Sequence, residues 1–380
     1  MAVPFIDLKR TVSRISDKVQ GDWSKCLAET QFVGGEFVKQ LETKLKDRLG
    51  VNHAITCANG TDALIIGLQA LGVGRGHRVA IPDMTFWATY EAVVLVGAEP
   101  VLIDIDRDDL QMNFEEFRTA HERFRFDAAI LPHLFGWTSK RLDDFRQFCT
   151  EKKIPLLEDG AQSFGVKVRG KDVLAEAQFG TISFYPAKVL GGAMDGGAVT
   201  AREAKHADLF RVLANHGRAT HYSYSHVGWN SRMGGLQAAF LLRALDVVDE
   251  AIASRNAGLA IYRKFVEENF KGQVRLYEPG PGVHGNGYLS VMLLPDGIAG
   301  ETVVGKLKEH GVGAARTYPE PMHKQVTSHR DLRASDLRNS IWFCQHVVNL
   351  PLFGFITEAE CLESAKALQS VLSGLRRGGA

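Results

Sequence analysis

The stretch Thr181-Ile-Ser-Phe-Tyr-Pro-Ala-Lys188-Val-Leu-Gly-Gly-Ala-Met-Asp195-Gly-Gly-Ala-Val-Thr200 decides how this chain is read. Thr181 to Phe184 is built of strand-forming residues and ends at Pro186, and a second short strand begins beyond the glycines. A lysine between two such strands stands at the mouth of a sheet rather than on a solvated helix. Lysine changes its pKa readily when partly buried, so it can offer a neutral amine to a carbonyl. The same residues also fit an ordinary surface lysine. The rest of the chain has to supply what an amine-based cofactor site needs.

Outward from that stretch, short apolar strands alternate with helices. Strands are expected at 51–57, 78–82, 99–104, 128–133, 155–158, 180–184 and 197–200. Between them, helices are expected from about 60 to 71 and at 85–96, 114–123 and 141–152. Near-continuous apolar strands separated by helices imply a parallel sheet covered on both faces. Before it, residues 1–50 read as a short arm and an amphipathic helix with Leu41, Leu45 and Leu49 on one face. A long helix is expected over 236–270, then strands at 287–294 and 313–317 with helices at 301–310 and 358–374. The expected fold is therefore α/β: a large domain, 1–245, with a mostly parallel seven-stranded sheet, and a smaller C-terminal α+β domain, 246–380. Residues 376–380 read as a loose tail.

The 380 residues carry a net charge of +1, which suggests neither a nucleic-acid nor a membrane-surface partner. Apolar runs are too short to span a bilayer, and the N-terminus shows no signal-peptide pattern. Cys26, Cys57, Cys149, Cys344 and Cys361 are scattered, with no C-x-x-C pair and no histidine at metal spacing. A cytoplasmic location and no metal are expected. Gly72-Val-Gly74-Arg-Gly76 follows a helix and precedes a strand, the reverse of what a dinucleotide-binding turn requires.

Four segments carry chemistry. Gly60-Thr61 sits between a strand and a helix, where free N–H groups and the helix dipole can seat a phosphate. A plain capped helix start reads the same way. Asp159 follows a buried strand at its carboxyl end, where open α/β sheets bind ligands. Its carboxylate calls for a cationic partner, which a protonated pyridine nitrogen would be; a helix N-cap is the other reading. Phe86, in Asp83-Met-Thr-Phe86-Trp87, could stack on a planar ring or simply pack in the core. With Lys188 these parts fall at the ends of strands of one sheet, in the order needed to hold pyridoxal phosphate through a lysine Schiff base.

The segments resemble the DegT/DnrJ/EryC1/StrS family of sugar aminotransferases, of the fold-type I class. Ala58-Asn-Gly-Thr-Asp-Ala-Leu64 is similar to the family's SGTDAL, and Glu158-Asp-Gly-Ala-Gln-Ser-Phe-Gly165 to EDAAQAHG. Ser183-Phe-Tyr-Pro-Ala-Lys188 resembles SFFPTK, and Gly228-Trp-Asn230-Ser-Arg232 resembles GYNSR. Tyr318-Pro-Glu-Pro-Met-His323 matches a C-terminal mark. The resemblance implies a pyridoxal-phosphate enzyme that moves an amino group from glutamate to a keto group of a nucleotide-linked sugar, as a homodimer with shared active sites. It implies Lys188 and Asp159 as catalytic residues. It further implies Gly60, Thr61 and Ser183 at the phosphate, Phe86 stacked on the ring, and Gln162 on the ring hydroxyl. Asn230 would reach the phosphate from the second subunit, while Arg232, Tyr318 and His323 would lie near substrate. Asn230-Ser231-Arg232 resembles enzymes that aminate C3, and the product would serve cell-surface polysaccharide, lipopolysaccharide or glycoside synthesis. The alternatives are a PLP sugar dehydratase, which as the family implies has histidine in place of Lys188, a non-catalytic regulatory member, and a PLP aldolase or lyase acting on amino acids. Ala58-Asn59, Trp137-Thr-Ser-Lys140 and Met233-Gly-Gly235 depart from the family pattern.

Overall fold

The computed structural model describes residues 3–325 and 331–377. Its centre is one sheet whose strands run, edge to edge, His53–Cys57, Gly197–Ala201, Phe179–Ser183, Leu156–Asp159, Ala128–Pro132, Arg78–Pro82, Glu99–Ile103 and Leu332–Arg333. All strands from Phe179–Ser183 to Leu332–Arg333 are mutually parallel. Gly197–Ala201 runs antiparallel to both of its neighbours. Seven strands match the expected ones. The eighth, Leu332–Arg333, is a two-residue edge strand in a polar stretch with no strand periodicity to announce it.

Side-chain alternation along these strands separates two cores. Ala80, Ala129, Leu131 and Ile103 point to one face, under the helices Glu36–Leu49, Phe114–Phe124 and Leu142–Lys152. Val79, Ile81, Ala128 and Ile130 point to the other, under Gly60–Ala70, Trp87–Leu95 and Ala204–Ala214. Burial on both faces explains why the strands read as continuous apolar runs.

Three helices have no counterpart in the expected pattern: Lys9–Ala28, Ala204–Ala214 and Arg338–His346. Lys9–Ala28 buries only Ile15, Val19 and Cys26, too narrow a stripe to stand out. The strand expected at 287–294 shortens to Val291–Leu293, which pairs antiparallel with Arg275–Tyr277 and Val347–Val348. The strand expected at 313–317 is absent. Gly313 donates its N–H to the Val3 carbonyl, Ala315 forms a lone bridge with Asn349, and the Asn349 side chain takes the Thr317 N–H at 2.8 Å. Side chain and N-terminal arm thus occupy the positions a ladder would need.

The helix Gly235–Phe270 is unbroken for 36 residues. Its first half packs in the sheet core through Ala238, Leu241 and Val248. Its second half packs through Leu259, Tyr262 and Phe265 in a separate core with the final helix Glu358–Arg377. That last helix runs to Arg377 rather than ending before a tail at 376, and residues 378–380 of the expected tail lie outside the described residues.

Candidate active site

A cavity of about 870 Å³ opens at the carboxyl ends of the parallel strands. Gly60, Thr61, Phe86, Asp159, Gln162, Ser183, Lys188 and Tyr318 all line it. Lys188 is the one lysine or arginine among the described residues that line it, beside the acids Asp62, Glu91, Asp159 and Asp195.

One end is an anion seat. Asn59 caps the helix Gly60–Ala70 by accepting the Asp62 N–H at 2.8 Å, and its carbonyl accepts the N–H of Ala63. The N–H groups of Gly60 and Thr61 remain at the cavity, where a helix start favours negative charge. Ser183, the last residue of its strand, packs against them: a Cβ on Gly60 would come 2.7 Å from Ser183 Cβ. Only glycine permits that approach.

Asp159, at the end of the strand Leu156–Asp159, is 7% exposed. Its Oδ1 accepts the Ala161 N–H at 3.0 Å and the Thr181 hydroxyl at 3.3 Å. Burial is the largest influence on this carboxyl and pushes it above the usual range; the Ala161 N–H, the charge of Lys188 and His133 pull the other way and do not prevail. One residue earlier on the same strand, Glu158 points to the other face of the sheet and forms a buried pair with His133, which follows the adjacent strand Ala128–Pro132. His133 Nε2 lies 3.0 Å from Glu158, its Nδ1 lies 2.9 Å from the Thr138 hydroxyl, and Arg146 grips Glu158 with two bonds of 2.8 and 2.9 Å. Burial would raise the Glu158 carboxyl, but the His133 hydrogen bond and the Arg146 charge together hold it below its ordinary value.

Gln162 accepts the Phe135 N–H at 2.6 Å through Oε1 and donates from Nε2 to the Tyr318 hydroxyl. Tyr318 reaches this position with a left-handed backbone, φ 63°. Burial pushes its hydroxyl far above the ordinary tyrosine pKa, so it stays a neutral donor or acceptor. Phe86, at the N-terminus of the helix Trp87–Leu95, leaves 59% of its surface exposed, which a buried core phenylalanine would not. Lys188 places Nζ 3.4 Å from the Tyr288 hydroxyl and 6.0 Å from the centre of the Phe86 ring.

Three expected residues lie off this cavity. Asn230 bridges to Asn215, and Arg232 donates to the Asn215 side chain at 3.1 Å, beside a second hollow that also holds Arg211 and Arg218. His323 is fastened to Asp83: the fully buried carboxylate accepts the His323 N–H at 2.9 Å and faces Nδ1 at 2.7 Å. Among the liners that the sequence analysis does not name as site residues are His133 and Tyr288. His133 follows a strand end, so the rule that singled out Asp159 could have found it. Tyr288 follows a left-handed Gly287 in the last third of the chain, and nothing in its own neighbourhood points to this cavity.

These residues fit a phosphorylated pyridine carboxaldehyde. The cavity offers an anion seat, a buried carboxylate short of a cation, an exposed ring face and an amine, in the order such a molecule needs.

The sequence model of the DegT/DnrJ/EryC1/StrS aminotransferase family matches residues 14–369. A Pseudomonas aeruginosa protein described as a UDP-2-acetamido-2-deoxy-3-oxo-D-glucuronate aminotransferase is 37% identical over 324 residues, 85% of this chain and 88% of its own length. An Acidithiobacillus ferrooxidans protein described as a UDP-N-acetyl-3-dehydro-alpha-D-glucosamine 3-aminotransferase is 30% identical and covers 98% of this chain and 99% of its own length. Among solved structures, a DegT DnrJ EryC1 StrS aminotransferase from Brucella abortus superposes with a TM-score of 0.90 at 32% identity, over 97% of this chain and 99% of that one.

Proposed function

This chain belongs to the DegT/DnrJ/EryC1/StrS aminotransferase family, with pyridoxal phosphate as its cofactor, and from that premise we propose that it moves an amino group from glutamate to a 3-keto sugar carried on a nucleotide. The observation that carries the reading is the uncompensated Asp159 carboxylate sharing a cavity with the Lys188 amine. When bound, pyridoxal phosphate supplies an electrophilic carbonyl and a cationic ring that withdraws electrons.

The protein's own groups then divide the work. Lys188 Nζ would hold the cofactor through its carbonyl carbon and, when free, would carry the proton that leaves the donor's α-carbon. Asp159 keeps the ring nitrogen protonated, gaining the cation its burial lacks. Gln162 hydrogen-bonds the ring hydroxyl and Phe86 covers a ring face. Gly60, Thr61 and Ser183 bind the phosphate. Asp83 fixes Nδ1 of His323, whose Nε2 would meet a sugar that extends beyond the cavity, while Tyr318 lines the cavity itself. Retention of lysine at 188 favours amino transfer over dehydration.

A homodimer completes the site in this reading, and exposed apolar residues support it. Phe86, Tyr185, Met194 and Leu95 are each more than half exposed near the cavity, and Tyr222 and Val227 stand 83% and 96% exposed on the segment leading to Asn230. A monomer gains nothing from such a surface. Asn230 and Arg232 would then serve the partner's cavity. The names of the Pseudomonas and Acidithiobacillus relatives support position 3 of a UDP sugar, and hence a role in surface-polysaccharide or lipopolysaccharide precursors. The described residues include no helix long and apolar enough to cross a membrane, and the five cysteines are buried free thiols, which supports a cytoplasmic setting.

The test is a panel of 3- and 4-keto nucleotide sugars incubated with purified protein and glutamate. Release of 2-oxoglutarate with a 3-keto substrate supports the reading. No product with any keto sugar, in protein that carries the cofactor, sinks it.

A further inference from the structure

Lys188 lies in a closed loop. Its own N–H is taken by the Tyr185 carbonyl at 2.8 Å. The chain then turns back, so that Gly192 donates to Phe184 and Phe184 donates to Gly196, both at 2.8 Å. A Cβ on Gly191 would sit 2.1 Å from the Pro186 carbonyl oxygen, two residues before the lysine. The outer side of the loop, Ala193 to Asp195, is exposed and belongs to no strand, and Met194 is 52% exposed. That exposure leaves the outer side little apolar packing among the described residues.

A single buried side chain holds it instead. Gln237, 2% exposed, is the third residue of the helix Gly235–Phe270. Its Oε1 accepts the N–H groups of Ala193 and Met194 at 3.0 and 3.2 Å. Its Nε2 donates to the carbonyls of Met194 and Asp195 at 2.7 and 3.3 Å. Every polar valence of the amide head that these contacts can use is spent on one three-residue turn. A Cβ on Gly192 would meet Nε2 at 2.0 Å, so the turn is moulded onto the amide.

We propose that Gln237 is a positioning residue: it clamps the loop after Lys188 to the long helix and thereby fixes where the lysine amine sits in the cavity. The inference rests on the reading of Lys188 as the cofactor-bearing residue. A loop pinned on one side by Phe184 and Gly196 and on the other by Gln237 gives the lysine one backbone setting. Released from Gln237, the loop keeps its strand-side bonds and loses its outer ones, so the amine samples several positions.

The experiment compares wild type with Gln237→Leu and Gln237→Glu, all checked for native circular dichroism. In the first arm, cofactor-free protein meets trypsin, and cleavage after Lys188 is timed against the other sites. Losing hydrogen bonds worth a net bond or more makes that cleavage about tenfold faster in the leucine variant, other sites unchanged. In the second arm, pyridoxal phosphate is bound and the pH midpoint of its lysine-linked absorbance band is read. The leucine variant shifts that midpoint and loses kcat about tenfold with KM within about twofold, the pattern of a displaced amine rather than a damaged pocket. The glutamate variant, which keeps the acceptor for two N–H groups, falls between, and it decides on the same readouts should the leucine variant not fold. Wild-type cleavage rates and an unmoved midpoint would overturn the proposal. Wild type that attaches no cofactor at Lys188 would instead overturn the reading of the lysine, while the protease arm still judges Gln237.

Discussion

Lys188 and Asp159 have opposite histories in this molecule. The lysine is half-buried and held by its loop, whereas the aspartate is buried at a cost that its neighbours do not cover. Replacing Lys188 with alanine removes the attachment point; the lysine-linked absorbance band and glutamate-dependent turnover should both vanish, and a normal rate in that variant would end the assignment. The aspartate makes a different prediction through pH. An unfolded aspartate titrates near about 3.9. In the folded cofactor-free protein the Asp159 pKa is raised, so the native state holds a proton that the unfolded state has already lost. Stability therefore falls as pH climbs from the unfolded value through the raised one, and the full cost is present above it. Asp159→Asn removes that cost. Cofactor-free Asp159→Asn should melt higher than cofactor-free wild type at neutral pH and no higher at pH 4. The same variant should keep the cofactor yet lose turnover by about 10²–10⁴-fold, the range a positioned proton-holding group contributes.

Elements, more than single residues, determine what could be read in advance. Strands such as Ala128–Pro132 are buried on both faces, so their apolar runs stand out, and the strand-end rule leads from them to Asp159, while Ser183 follows only from the family resemblance. The helix start at Gly60 was legible because the strand, the glycine and the apolar stripe follow one another directly. Its close fit is a prediction in itself. Gly60→Ala drives a Cβ to 2.7 Å from Ser183, which should displace the serine and raise the cofactor dissociation constant about tenfold in an absorbance titration, with secondary structure unchanged. Segments that take their geometry from distant partners were not legible. The strand expected at 313–317 is replaced by bonds to Val3 and Asn349, more than thirty residues away in either direction. Tyr288 enters the cavity because Asn286 takes its N–H and ties the segment to the Gln162 and Phe164 carbonyls, a tertiary arrangement with no local mark. The polar helix Lys9–Ala28 hid for lack of a wide stripe.

At the level of the whole molecule, two questions of division remain to be tested by measurement. We propose that the chain parts near residue 245 into 1–245 and 246–380, with the helix Gly235–Phe270 as a continuous spine through both. Hydrogen exchange should then show two protected blocks joined at the helix, with the edge strand Leu332–Arg333 exchanging with the first. The second question concerns copies. If Asn230 serves the neighbouring cavity, a mixture of two inactive proteins, Lys188→Ala and Asn230→Ala, should regain activity after subunit exchange. Half of the dimers would be mixed, and each of those would hold one intact site, giving about a quarter of the wild-type rate. Recovery of nothing would place Asn230 with its own chain's site.

The shortage of positive charge in the cavity has a further consequence. If glutamate and a nucleotide sugar are the substrates, as proposed above, both arrive heavily anionic, yet among the described residues four acids and a single lysine line the cavity, and that lysine is committed to chemistry. In the dimer proposed above, Arg211, Arg218 and Arg232, which line one hollow, would supply counter-charge from the neighbour's flank. Catalysis and choice of guest would then be written in different places: one copy owns the reaction, and the other decides who is admitted. Drift in the 211–232 region could retune substrate preference generation after generation while the machinery around Lys188 stays untouched.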